Sequence, residues 1–116
     1  MAEDCIFCKI AKKEIPSTVV YEDEQVIAFK DLEPQAPVHV LVIPKAHFDS
    51  VMTLGKKGKE IAGHIVAEVV PAIANKLGLA ENGFRLVANT GNDGGQTVKH
   101  LHFHILGGRS MQWPPG

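Results

Sequence analysis

The segment His100-Leu101-His102-Phe103-His104-Ile105-Leu106 constrains the fold of this chain more than any other. Its strict alternation has the two-residue period of a β-strand, in which successive side chains point to opposite faces. A strand from Lys99 to Leu106 sets Leu101, Phe103 and Ile105 on an apolar face that must be buried. It sets His100, His102 and His104 on the other. Such a strand needs partners in a sheet and a second layer over its apolar side. No packing argument requires three imidazoles on one face, so that face is read as chemical. Geometry also limits the chemistry. At a rise of ~3.3 Å per residue, His100 and His104 stand roughly 13 Å apart. Zinc–nitrogen bonds of about 2 Å cannot gather all three rings on one ion. At most two serve a single metal, which leaves at least one for other work.

The rest of the chain supplies that sheet and that layer. Val19 to Glu22 and Val26 to Lys30 read as two strands around a tight Asp23-Glu24-Gln25 turn. Asp31 to Pro37 is a proline-punctuated loop, and Val38 to Ile43 is a third strand closed by Pro44-Lys45. Phe84 to Ala88 is the fourth, and the histidine segment the fifth. Ile61, Ile65, Val69, Ile73 and Leu77 recur every four residues, flanked by Ala62 and Val66, which predicts a long helix over Lys56 to Leu77. Gly78 caps it, and Pro71 is expected to kink it because proline cannot donate to the carbonyl four residues back. Cys5 to Lys12 predicts a short N-terminal helix ended by Ile15-Pro16-Ser17. The order gives an α+β domain with a mostly antiparallel five-stranded sheet.

At 116 residues the chain is long enough for one core, so residues 1–116 are read as a single domain. The formal net charge is -1, with acids and bases mixed along the chain. That balance provides neither a basic field for nucleic acid nor a polybasic anchor for a membrane. The acidic start, Met1 to Cys5, lacks the basic segment and apolar run of a signal peptide, so a cytoplasmic protein is expected. In a reducing compartment Cys5 and Cys8 are either half of a metal site or two buried apolar residues.

Directly before the histidines, Asn89-Thr90-Gly91-Asn92-Asp93-Gly94-Gly95-Gln96-Thr97 forms a glycine-rich loop. It matches neither the Walker pattern nor the dinucleotide fingerprint. Gly91, Gly94 and Gly95 nevertheless let backbone N–H groups approach an anion, and Asn89, Gln96 and Thr97 add polar groups suited to phosphate oxygens.

The run from His100 to Leu106 resembles the signature of the histidine triad family of nucleotide-binding proteins. The resemblance extends over nearly the whole chain: Cys5-Ile6-Phe7-Cys8-Lys9-Ile10, Phe29-Lys30-Asp31, Pro34 to His39, Val42-Ile43-Pro44-Lys45, Asp93-Gly94-Gly95-Gln96 and Trp113-Pro114-Pro115-Gly116. The last two segments are similar to the Hint-like branch, which hydrolyses purine nucleoside phosphoramidates. The resemblance implies a HIT-like fold and a nucleophile at His102 that forms a covalent nucleotidyl-histidine. His39, His100 and His104 would complete the histidine network. Asn89, Gln96 and Thr97 would contact phosphate or leaving group, and Asp31 the ribose. Ile6, Phe7, Ile10, Ile15, Phe29 and Leu32 would line the purine pocket. A homodimer is implied, with Trp113 of one subunit near the other's site. Two positions depart from the pattern. Thr97 stands where serine is common, and Lys99 where an aromatic is common.

The resemblance also bears on the cysteines. Cys5, Cys8, His47 and His100 would form a structural Cys2His2 zinc site, since related proteins carry a similar set. Catalysis itself requires no cofactor. The remaining histidine, His64, falls off the apolar stripe and is expected at the solvated surface. Two other activities fit the same motifs, hydrolysis of dinucleoside polyphosphates and nucleotide-dependent regulation with little turnover. All of these imply a purine nucleotide ligand.

Overall fold

Antiparallel pairing of β1 (Val19–Glu22), β2 (Val26–Lys30) and β3 (Val38–Pro44) builds one half of a five-stranded sheet. The other half is β5 (Phe103–Gly107), which pairs with β3, and β4 (Phe84–Val87) at the edge, giving the order β1-β2-β3-β5-β4. The computed structural model describes residues 4–116; Met1 to Glu3, which open the acidic start, lie outside the described residues. The architecture is α+β, with helices on both faces of the sheet.

Alternation along the strands sorts side chains into two cores. Val26, Ala28, Val40, Val42, Leu101, Phe103 and Ile105 face a helical layer that presents Ile61, Ile65, Val69, Val70, Ile73 and Ala74. On the opposite face Ile27, Phe29, Leu41 and Ile43 pack under Phe7 and Ile10 of α1 (Ile6–Ala11). His39 and His104 lie on this second face. They are diagonal neighbours in the sheet, because His39 opposes Leu106 and His104 opposes Leu41.

The long helix differs from its sequence reading in two ways. It begins at Lys59 instead of Lys56, after a turn around Gly58, and it runs as α2 (Lys59–His64), a π-helical turn (Ile65–Val69) and α3 (Val70–Lys76). The Val70 N–H donates to Ile65 O, five residues back, immediately before Pro71. This wider turn absorbs the ladder position that Pro71 cannot fill. It also rotates the apolar stripe by one residue. Ile61 and Ile65 are buried before it, Val69 with Val70 and Ile73 with Ala74 after it, and Val66 is left exposed. Among the described residues no helix is long and apolar enough to cross a membrane.

His64 is a correction to the sequence reading, because its ring is not simply solvated. Nε2 lies 2.7 Å from Asp23 Oδ2 in the β1–β2 turn, and Nδ1 contacts Glu68 in the π-helical turn. Tyr21 adds a hydrogen bond to the same Asp23 oxygen. The carboxylates of Asp23 and Glu68 raise the His64 pKa. Burial pushes Asp23 up, but hydrogen bonds from His64, Tyr21 and the Gln25 and Val26 amides outweigh it and hold the carboxyl at about 2. The signs define a window. His64 stabilises the fold fully below its unfolded pKa of ~6.5, and that contribution fades as pH rises through its raised folded value. Asp23 contributes above about 4 and loses its contribution as pH falls toward about 2. Because the ring is part-exposed, about 1 kcal/mol is expected, or roughly 4 °C in melting temperature. Melting curves of the parent and His64→Ala should differ at pH 6 and converge at alkaline pH. A difference independent of pH would mean that packing, not charge, is lost.

Candidate active site

The predicted strand from Lys99 to Leu106 is shorter in the structure, starting at Phe103. Upstream, Leu101 N–H donates to Phe48 O at 2.6 Å instead of joining the ladder beside Pro44, which has no N–H to offer. The alternation survives without the pairing: Leu101 remains in the helix-side core, and His100 and His102 remain on the side of α1.

His102 is 5% exposed. Its Nδ1–H donates to the carbonyl of His100 at 2.7 Å, which fixes the proton on that nitrogen and leaves Nε2 with a free lone pair. Phe7 packs edge-on against the ring at 5.1 Å between centroids, and the His104 ring lies 5.0 Å away on another side.

A second chain of hydrogen bonds sets the neighbouring rings. The backbone N–H of Gln35 donates to His39 Nδ1 at 3.0 Å, so the His39 proton resides on Nε2. That Nε2–H donates to His104 Nδ1 at 2.9 Å, which in turn places the His104 proton on its Nε2. His104 Nε2 is buried and has no hydrogen-bond partner among the described residues. Burial lowers the pKa of both rings, that of His104 to about 4, so both are neutral near pH 7. Asp31 Oδ2, 3.5 Å from His39 Nε2, opposes the shift of His39. The outcome is a bare nitrogen on His102 and, on the ring 5.0 Å away between centroids, an N–H of His104 with no partner among the described residues.

The glycine-rich loop is braced from within. Gln96, expected on phosphate, has its side chain committed to the protein: Nε2 donates to Asp49 O and Val98 O at 2.7 and 2.9 Å, and Oε1 accepts from Gly91 N at 3.0 Å. Gly94 is required by close approach, since a Cβ there would lie 2.4 Å from the Thr90 carbonyl oxygen. Asn89 is half-buried and Thr97 exposed. Phe7, Ile10 and Phe29 spend nearly all their surface on the second core, and Ile15 packs against it. Ile6 and Leu32 remain as the exposed members of the expected purine pocket, and Trp113 is exposed on the tail.

His100 turns away from this group. Its ring is fully buried, with Nδ1 at 3.2 Å from Cys5 Sγ and 3.4 Å from Cys8 Sγ, while Nε2–H donates to Pro44 O at 2.8 Å. His47 Nδ1 lies 3.3 Å from Cys8 Sγ, and its Nε2–H donates to Asp49 Oδ1 at 2.8 Å. All four candidate ligand atoms lie within 4.8 Å of one another. A tetrahedral zinc with bonds of about 2.3 Å to sulfur and 2.0 Å to nitrogen has sulfur–nitrogen edges of about 3.5 Å. The cluster fits that figure. Each imidazole also gives its far N–H to an oxygen acceptor and aims a lone pair inward, which is the outer-shell arrangement of a metal-ligating histidine. Burial lowers His100 to about 4, keeping it neutral, and burial followed by Cys5 pushes the Cys8 thiol up to about 11. A bound cation reverses the second preference by favouring thiolate.

The HIT domain profile matches residues 12–111, which contain the whole sheet and all three alternating histidines. The chain belongs to the HIT family. An uncharacterized HIT-like protein of Synechococcus elongatus is 53% identical over 116 residues, covering 100% of both chains. A 14 kDa zinc-binding protein of Zea mays is 54% identical over 114 residues, covering 96% of this chain and 87% of its own length. The crystal structure of a HIT family hydrolase from Legionella pneumophila matches with a TM-score of 0.94 at 48% identity, spanning 97% of this chain and 100% of that one. Within this HIT domain the sequence reading missed three contributors: the Gln35 amide, the Pro44 carbonyl and Asp49. Only Asp49 left a signal, a carboxylate two positions after a candidate ligand histidine.

Proposed function

We propose that the chain hydrolyses purine nucleoside 5'-phosphoramidates through a nucleotidyl group carried on His102. The observation that supports this most is the pair of fixed tautomers, a free His102 Nε2 lone pair beside the unpartnered Nε2–H of His104. In the first step His102 Nε2 bonds to the α-phosphorus as the phosphorus–nitrogen bond to the amine breaks, and the amine takes that electron pair. The His102 ring becomes positively charged, and the His100 carbonyl facing its Nδ1–H stabilises the charge. In the second step water attacks phosphorus and the bond to Nε2 breaks, releasing the nucleotide and restoring the lone pair; the proton that water gives up to solvent balances the one the departing amine takes from solvent in the first step.

His104 Nε2–H serves as a hydrogen-bond donor to a phosphoryl oxygen, where charge grows in both steps. It cannot also supply a proton to the amine, because its Nδ1 already accepts from His39 and the loss would leave an imidazolate. The leaving group's proton therefore comes from outside this pair. Asp31 would hold the ribose, Ile6 and Leu32 the base, and Asn89 and Thr97 the region of the leaving group. Gln96 acts by shaping the loop. Cys5, Cys8, His47 and His100 would hold a structural zinc, which when bound pins the start of α1 to the segment before β5. The half-exposed edge strand β4 offers the pairing edge for a homodimer.

The test supplies adenosine 5'-phosphoramidate and a dinucleoside polyphosphate to the same preparation. Amine release should outpace cleavage of the polyphosphate. Faster cleavage of the polyphosphate would replace the substrate class, and nucleotide binding without either product would point to a regulator.

A further inference from the structure

The tautomer of His39 depends on one backbone amide, and that amide sits in an exposed loop. Leu32, Glu33, Pro34, Gln35 and Pro37 are all exposed, so little apolar burial anchors Gln35. Its local hydrogen bonds stay within residues 31–39: Glu33 N–H to Asp31 Oδ1, Gln35 Nε2 to Glu33 O, and Asp31 N–H to His39 O. Among the described residues one hydrogen bond ties this loop to a distant part of the chain. Arg109 Nη2 donates to Gln35 O at 2.9 Å across 74 positions of sequence.

The chain is shaped to deliver that guanidinium. Gly107 ends β5 opposite Val38, the residue that follows the loop. Gly108 then turns with φ of +89° and lies so close to Pro37 that a Cβ would stand 2.8 Å from its Cβ. Only glycine permits both the turn and the approach. Arg109 follows, with Nη1 donating to Ser110 O at 3.0 Å so that the fork is held on two sides.

We propose that Arg109 is a positioning residue for the His39–His104 pair, acting by holding Gln35 in place. The inference rests on the reading of His104 as the hydrogen-bond donor in phosphoramidate cleavage. If Gln35 drifts, His39 Nδ1 loses the N–H donor that bars a proton from it, and only Asp31 Oδ2 at 3.5 Å and the His104 Nδ1 acceptor still favour the proton on Nε2. A proton moved to Nδ1 would leave two lone pairs, on His39 Nε2 and His104 Nδ1, facing each other at 2.9 Å. That repulsion is relieved when His104 also moves its proton to Nδ1. His104 Nε2 would then present a lone pair where a phosphoryl oxygen needs a donor.

The test combines long-range proton–nitrogen NMR correlations of the imidazoles with kinetics on adenosine 5'-phosphoramidate. In the parent protein His39 and His104 should each carry the proton on Nε2. Arg109→Ala should show mixed tautomers in both rings and a kcat lower by about 10-fold at a similar KM, as expected for losing one charge-assisted hydrogen bond's effect. Arg109→Lys keeps one donor for Gln35 O and should restore most of both readouts. Unchanged tautomers in Arg109→Ala would overturn the proposal, whatever happens to thermal stability. If that variant does not fold, Arg109→Met, which keeps an unbranched stem of similar length but has no donor for Gln35 O, decides on the same readout. A parent protein inert toward phosphoramidates but with Arg109-dependent tautomers would remove the reaction and leave the positioning role standing.

Discussion

Alanine at position 102 should abolish amine release and, with it, any nucleotide adduct on the protein. The expected loss in kcat/KM is at least about 10^3-fold, because the covalent route disappears and only binding and the hydrogen-bond donors remain. Intact-mass measurement of rapidly quenched parent protein should show a nucleotide monophosphate increment that maps to His102. His104→Ala provides the contrast. It removes the donor opposite the phosphoryl oxygen and leaves the nucleophile, so it should slow turnover by about 10^2-fold while adduct still forms. His102 is nearly buried, so circular dichroism must show that the variant folds before its silence is interpreted. Release that persists in a folded His102→Ala protein would assign the nucleophile elsewhere.

The parts of this site that were readable in sequence are those encoded by period and by side-chain type. Alternation from Leu101 to Ile105 located the core face, and the four-residue recurrence from Ile61 to Ile73 located the layer that covers it. Hidden features depend on partners distant in the chain or on the backbone. His64 looked solvated because its helix gives no sign of Asp23, 41 positions earlier. The π-helical turn was signalled only as an expected kink at Pro71, since a ladder can meet a missing donor in more than one way. Gln96 carries a side chain suited to phosphate, yet both polar atoms of that side chain are already bonded, to Gly91, Asp49 and Val98. The Gln35 amide cannot be seen at all from residue type, because every residue but proline has one. Strand period nevertheless placed His102 and His104 on a common side, even where the ladder ends at Phe103.

Removing zinc from the Cys5, Cys8, His47 and His100 cluster should destabilise the fold by more than any surface substitution. A metal that binds only the folded chain stabilises it in proportion to the logarithm of its concentration over its dissociation constant. At a hundredfold excess that is about 2.7 kcal/mol, or roughly 10 °C in melting temperature for a domain of this size. The cluster joins three segments that are remote in sequence: the start of α1, the turn after β3 and the approach to β5. Releasing them should also slow amine release, since the His100 carbonyl orients the His102 ring. Elemental analysis of protein purified without added zinc should find one equivalent, lost in a Cys5→Ser, Cys8→Ser double variant. Cobalt(II) added to chelator-treated protein should give the visible absorption of a tetrahedral site with two sulfur ligands. Circular dichroism melts with and without chelator complete the test. Metal-free protein that melts at the same temperature as the untreated sample would return Cys5 and Cys8 to ordinary packing, with the close approach of His47 and His100 a matter of hydrogen bonding alone.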